Sequence, residues 1–295
     1  MISFRGFAFP LASRVFVVAA LLGAAACDLN KNPTEPTPPA NPNEVFYAAV
    51  GASDGLGVGG TVLCLPFADC PDGTGYVPLT ARRLKADGKI VTLTNLSLPG
   101  YVLSKNFQDI GNSVGRGIDG NMIDREMPFV PRNSTLVTVF AGGNDANSVG
   151  EAIQRGQAGT DPAAFIATQV GNFGRDMRTL YSGIRERAPN ARIIVLNLPN
   201  MAGLPYSAAL PVAQKRLLQS IAVGFSAQTN ALVQQGALVI DLMCDPRSYQ
   251  ASNYSSDGFH PNDAGYAYIH SLIYPVVTAA SPPPPSASCA PMTMF

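Results

Sequence analysis

Residues 161–198, DPAAFIATQVGNFGRDMRTLYSGIRERAPNARIIVLNL, place a helix and a strand back to back. Ile166, Val170, Phe173, Met177, Leu180 and Ile184 recur at spacings of four and three, which is one apolar helix face. Asp161-Pro162 offers a cap and a first-turn proline, and Ala188-Pro189 stops the helix. Arg192–Leu198 follows as a short apolar run, read as a buried strand. The same alternation extends outward in both directions. Val45–Val50, Lys89–Asn95, Leu136–Ala141 and Ala237–Leu242 read as four more buried strands. Helical patterns fall at Tyr76–Lys85, at Leu218, Ile221, Phe225 and Leu232, and after Asp263, which is expected to cap a last helix with Tyr266, Ile269, Ile273 and Val277 inward. Strands alternating with helices predict an α/β fold, a mostly parallel sheet covered on both sides. No repeat with a period of 20–50 residues is apparent.

The chain has 295 residues, with 20 Lys plus Arg against 20 Asp plus Glu, 46% hydrophobic and 14% charged. Zero net charge argues against nucleic acid as a partner, because phosphate neutralisation needs a basic stripe. Normal apolar content with few charges describes a globular chain, and its length suits one α/β domain with appendages. No apolar run reaches the ~20 residues of a membrane-spanning helix. Only two histidines occur, His260 and His270, with no HExxH and no CxxC, so neither a metal site nor a cofactor is expected.

The ends read differently from the middle. Arg5 and Arg14 precede the apolar stretch Val15–Ala26, the make-up of an export signal over 1–26. Ala24-Ala25-Ala26 suits ordinary signal peptidase, whereas Leu22–Cys27 resembles a bacterial lipoprotein signal with Cys27 as the lipidated first residue. The expected location is therefore an exported lipoprotein anchored to a membrane and facing the periplasm or cell surface, or, on the first alternative, a soluble secreted protein. Cysteine arithmetic favours lipidation. Five cysteines are an awkward count for an exported chain, and lipidating Cys27 leaves Cys64, Cys70, Cys244 and Cys289 for disulfides. Four cysteines allow three pairings. Cys64 with Cys70, closing a short loop, is the favoured pair, and Cys244 with Cys289 would then tie the tail to the domain. Residues 27–43 hold five prolines, a stiff tether. A folded unit is expected over 44–280, with a low-complexity tail over 281–295 beginning at Pro282–Pro285.

Ligands of such sheets bind beyond the carboxyl ends of the strands. After the first strand stands Gly51-Ala52-Ser53-Asp54-Gly55, and after the second Asn95-Leu96-Ser97-Leu98-Pro99-Gly100. After the third stands Gly142-Gly143-Asn144-Asp145, where Asp145 is expected to cap a helix, and after the fifth, Ser256-Asp257-Gly258-Phe259-His260-Pro261. A serine hydroxyl needs a neighbouring base, and imidazole is the base matched to neutral pH. His270 falls beside an inner helix face and reads as structural, while His260 sits in a turn, three residues after a carboxylate able to fix its tautomer. Gly55-Leu56-Gly57-Val58-Gly59-Gly60 fits G-x-G-x-x-G, but Cys64, Pro66, Cys70 and Pro71 follow where a dinucleotide fold requires a helix. Those glycines are expected to keep one wall of a cleft open beside Ser53.

In this order the blocks resemble the SGNH or GDSL hydrolase superfamily, over about Val45–Val277. The resemblance implies a flavodoxin-like three-layer α/β/α sandwich with a five-stranded sheet. It implies Ser53 as nucleophile, His260 as base and Asp257 as the orienting acid. The oxyanion hole would comprise the N–H groups of Ser53 and Gly100 and the Asn144 side chain, with Gly100 letting backbone approach where a side chain would clash. The first block departs from the family name, reading Gly-Ala-Ser-Asp in place of Gly-Asp-Ser-Leu. The expected substrate is a small-molecule, lipid or acylated-glycan ester. The alternative is a non-catalytic surface lipoprotein binding a lipid or glycan in the same cleft.

Overall fold

A computed structural model describes residues 41–278 and 282–295. The expected export signal, Cys27 and the tether through residue 40 lie outside the described residues. In chain order the elements are β1 (Glu44–Gly51), α1 (Ser53–Leu56), α2 (Tyr76–Ala86), β2 (Ile90–Asn95), α3 (Lys105–Ser113), α4 (Met122–Arg125), β3 (Leu136–Phe140), α5 (Gly143–Gln154), α6 (Pro162–Arg187), β4 (Arg192–Leu196), α7 (Val212–Asn230), β5 (Leu238–Ile240) and α8 (Asp263–Thr278), with short 3-10 turns between. The five strands form one wholly parallel sheet in the order β2-β1-β3-β4-β5.

Alternation along the strands sorts side chains into two cores. Ala48 and Val50 of β1, Val137 and Val139 of β3, and Ile193 and Val195 of β4 pack with α3, α5, α6 and α7 on one face. Tyr47 and Ala49, Leu136, and Ile194 and Leu196 pack with α2 and α8 on the other. The sheet is thus the middle of three layers, as expected for strands buried on both faces. Phe107, Phe173 and Phe225 meet in the larger core, the last two stacked with ring centres 4.0 Å apart.

Helix α6 follows its sequence signals, with the Asp161 side chain accepting from Ala164 N–H at 2.9 Å and Pro162 in the first turn. Two expectations need correction. The apolar run Lys89–Asn95 predicts a buried strand, but β2 is an edge strand with Ile90 56% exposed, because the strand order leaves its outer side without a neighbour among the described residues. Asp263 does not cap α8. Asn262 Oδ1 accepts from Gly265 N–H at 3.1 Å, while the Asp263 carboxylate takes the Thr61 N–H and hydroxyl at 2.8 and 2.7 Å.

Both favoured disulfides are present, Cys64–Cys70 and Cys244–Cys289. The second holds the proline-rich tail along the domain. There Ser286 N–H meets Asp241 at 2.9 Å, and Asn200 Nδ2 donates to the Pro291 carbonyl at 2.7 Å. Among the described residues no helix is long and apolar enough to cross a membrane.

Candidate active site

The strand order reverses direction between β1 and β3, which opens a crevice at their carboxyl ends. Ser53 follows β1 there and Asn144 follows β3. Ser53 opens the single turn of α1, which ends at Gly57 with φ +80°, and its side chain is nearly buried. So short a helix, followed by the disulfide loop, confirms that the glycine run does not open a dinucleotide-binding helix. Gly59 is needed for another reason. With φ +94° it passes so close to the His260 segment that a Cβ would lie 2.5 Å from the Pro261 carbonyl oxygen.

Ser53 Oγ lies 2.9 Å from His260 Nε2, across 207 residues of sequence. His260 Nδ1 lies 2.6 Å from Asp257 Oδ2. This pairing assigns the Nδ1–H as donor to the carboxylate and leaves Nε2 free to accept from the serine hydroxyl. Asp257 Oδ1 also accepts from the N–H groups of Phe259 and His260 and from the Ser255 hydroxyl. Burial alone would raise its pKa, but these bonds, the one from the His260 ring foremost, outweigh it and bring it down to about 2. The carboxylate is thereby held ionised, beside a ring that gains positive charge when it takes a proton.

Gly258 shapes this turn. Its φ of +69° suits glycine, and a Cβ there would stand 2.6 Å from Tyr206 N, a backbone atom that donates to the Gly258 carbonyl at 3.1 Å. His270 is remote from this turn, with Nδ1 3.0 Å from the Thr80 hydroxyl and its pKa lowered by burial, as its structural reading requires.

Asn144 lies at the start of α5, after Gly142 with φ +114°. Its Nδ2 donates to the Tyr101 carbonyl at 3.0 Å, and Arg116 Nη2 donates to its Oδ1 at 3.4 Å. The amide is held at both ends, and one Nδ2–H stays available. Gly100 occupies the second central position of the turn Leu98–Tyr101, after Pro99, with φ +79°. A Cβ there would meet no protein atom within 4 Å, so the glycine answers to the turn's left-handed φ and not to a close backbone approach within the protein.

Three carboxyl groups around this centre escape sequence reasoning. Asp145, expected as the cap of α5, has its Oδ1 accepting from Leu103 N–H at 2.8 Å, so Asn144 and Asp145 together clasp the loop after β2. Burial pushes the Asp145 carboxyl up to about 7. Glu126 is fully buried, and its Oε2 accepts from Gly51 N–H at 2.8 Å, two residues before Ser53. Among the described residues its Oε1 has no hydrogen-bond partner, and burial raises its pKa well above the ordinary carboxylate range. Asp54 is also raised by burial, an effect partly offset by nearby His260. A lone Glu in the Met122–Phe129 segment carries no motif. Only the missing acid at Ala52 hints that a carboxyl could approach this turn from elsewhere.

A cleft runs beside the centre. Its lining includes Met122, Phe140, Leu198, Met201, Leu204 and Phe259, together with Gly143, Asn144, Asp54, Arg247, Asn253 and Tyr254. It is bounded by the sequence neighbours of Ser53 and His260 more than by those two side chains themselves. Among the described residues no cluster of three or more His, Cys, Asp or Glu could hold a metal ion.

The profile of the GDSL-like lipase/acylhydrolase family matches residues 53–268. No curated protein sequence matches. Among solved structures, a lipase from a goat rumen metagenome is 17% identical, covering 78% of this chain and 95% of that one at a TM-score of 0.54. An extracellular lipase from Streptomyces rimosus is 19% identical, covering 80% and 100% at 0.52. A phospholipase A1 from Streptomyces albidoflavus is 18% identical, covering 79% and 98% at 0.54. At these identities the solved structures establish a shared fold.

Proposed function

The chain belongs to the GDSL-like lipase/acylhydrolase family, whose members hydrolyse esters, and we propose that it is a serine carboxylic ester hydrolase working through an acyl-enzyme. One observation carries this reading: the hydrogen-bonded chain from Ser53 Oγ through His260 to Asp257, with links of 2.9 and 2.6 Å. Ser53 Oγ attacks the ester carbonyl as its proton passes to His260 Nε2. The new imidazolium faces the Asp257 carboxylate. Negative charge developing on the carbonyl oxygen is met by the free Asn144 Nδ2–H and by the backbone N–H groups of Ser53 and Gly100. Collapse breaks the ester C–O bond, and His260 returns its proton to the leaving alcohol. Water, deprotonated by His260, then attacks the acyl-serine; collapse breaks the acyl–Oγ bond, His260 returns its proton to Ser53 Oγ, and the acid is released. The mostly apolar lining of the cleft suits an acyl chain.

The same reading extends to location. Two disulfides suit an oxidising compartment, and an exported chain anchored through a lipidated Cys27 accounts for the one cysteine left unpaired by them.

p-Nitrophenyl esters from acetate to octanoate, offered to the protein and to Ser53→Ala, test the enzyme reading. Turnover lost in the variant is expected, and the chain-length profile measures the acyl pocket. Equal rates would favour the non-catalytic binder. Radiolabelled palmitate should enter the parent chain but not Cys27→Ala, and an unlabelled parent would leave the protein secreted and soluble.

A further inference from the structure

The Cys64–Cys70 loop takes no part in the mechanism above, yet three anomalies coincide in it. Leu63, Leu65 and Phe67 are 54%, 68% and 63% exposed, alternate residues of one short segment. Phe67 has φ +60°, the only positive φ outside glycine among the described residues and one that a bulky side chain rarely adopts. The Cys64–Cys70 disulfide closes the segment around Leu65 and Phe67, with Leu63 directly before the bridge, so their backbone is constrained while the apolar side chains face outward.

The loop is also fastened to the catalytic turns. Cys64 N–H donates to the Leu56 carbonyl at 2.9 Å, and Phe67 N–H to the Asn95 carbonyl at 3.2 Å. Asn95 Nδ2 in turn donates to the Gly55 carbonyl at 2.7 Å, within the turn that carries Ser53. At the loop's start, Thr61 is clasped by Asp263, three residues beyond His260.

We propose that this loop seats the protein on a neutral lipid surface by inserting Leu63, Leu65 and Phe67, beside the rim that holds Ser53. A lipid surface fits better than a protein partner. The three side chains expose a few hundred Å², against the roughly 800 Å² per partner of a stable protein interface. Insertion into lipid needs no complementary shape, only apolar area and a rigid carrier. The charges select the kind of lipid. Residues 61–75 contain Asp69 and Asp72 and no Lys or Arg. The neighbouring Arg82, which donates to the carbonyls of Pro71 and Gly73, brings one positive charge against these two negative ones. A surface of anionic headgroups would be repelled and a zwitterionic one would not. Delivery of surface-held esters to Ser53 rests on the hydrolase reading, whereas insertion itself does not.

The test uses the full-length chain carrying Cys27→Ser, so that no acyl anchor contributes, in flotation with phosphatidylcholine vesicles. The parent is expected to float with the vesicles, and Leu65→Ser/Phe67→Ser to bind at least about tenfold more weakly, since two large side chains lose their transfer gain. Both substitutions are exposed, so thermal midpoint and p-nitrophenyl acetate turnover should be unchanged, while hydrolysis of p-nitrophenyl laurate held in the vesicles should fall with binding. Ser53→Ala should bind vesicles like the parent, which keeps this result separate from the fate of the hydrolase reading. The proposal is overturned if the parent stays in solution, or if the double variant floats equally. It is overturned too if phosphatidylglycerol binds more strongly and salt abolishes the effect, or if the loop proves to mediate a dimer that the substitutions dissolve.

Discussion

Replacing Glu126 by Gln should change how the stability of the protein depends on pH. Glu126 is fully buried, accepts one hydrogen bond from Gly51 N–H, has no ion-pair partner among the described residues and leaves Oε1 without a partner. Burial therefore raises its carboxyl in the folded state well above the value near 4.3 expected in the unfolded chain. Its contribution to stability is fully present below that unfolded value and is lost as pH rises toward the folded one. Between the two the folded protein keeps a proton that the unfolded chain releases, so stability falls by about 1.4 kcal/mol per pH unit. Gln cannot titrate, so the variant lacks that decline. At pH 5 it starts lower, because its amide places N–H groups where Oε1 had no partner, at a cost of about 1–3 kcal/mol. The stability of the variant minus that of the parent should then climb by about 1.4 kcal/mol per unit, and the two curves should converge or cross. Asp145 and Asp54 are also raised, but both proteins retain them and the difference cancels their effect. Urea unfolding at pH 5, 6 and 7, followed by far-UV circular dichroism because the chain has no Trp, measures this directly. Parallel curves for parent and variant would refute a neutral buried Glu126.

Asn144→Ala should lower kcat by about 10²–10³ through loss of one oxyanion donor, and parent-like kcat in steady-state kinetics would remove Asn144 from that role. Asp257→Asn should cut kcat by about 10²–10⁴, since an amide can no longer enforce the Nδ1–H tautomer. Because the folded-state pKa of Asp257 is depressed from 3.8 to about 2, its stabilising contribution is present above the unfolded value. Parent and Asp257→Asn stabilities should therefore draw together as pH falls through that interval, which acid unfolding can follow. Gly258→Ala should displace the Asp257–His260 turn, because its Cβ would collide with Tyr206 backbone, and is expected to lose most turnover and to react slowly with a phosphonate probe. Replacing Cys244 and Cys289 by Ser opens a crosslink spanning 45 residues and should cost about 4 kcal/mol in the same urea assay, against about 2 kcal/mol for Cys64 and Cys70.

Local chemistry makes much of the fold legible. The apolar face of Ile166 to Ile184 and the five apolar runs need only periodicity, and every run is a strand. The blocks with Ser53, Asn144, Asp257 and His260 are legible as candidates because rare residue types stand in turns after those strands. The network behind them is not. Glu126 looks like an ordinary surface acid, and Asp145 like a helix cap, until folding strips their water, since desolvation belongs to an environment and not to a residue. The cap of α8 is misread for a related reason: Asn262 and Asp263 are equally good local caps, and the distant Thr61 recruits one of them.

Periodicity, proline and glycine placement, and cysteine number can be read locally along the chain, so the α/β alternation, the strand segments and the inventory of reactive groups follow from it directly. Packing between remote segments sets that β2 and β5 lie at the edges, that β1 and β3 adjoin, and that 207 residues close to bring Ser53 Oγ to His260 Nε2. Those outcomes depend on hydrogen bonding and burial between remote segments. Local propensity carries no information about such pairings.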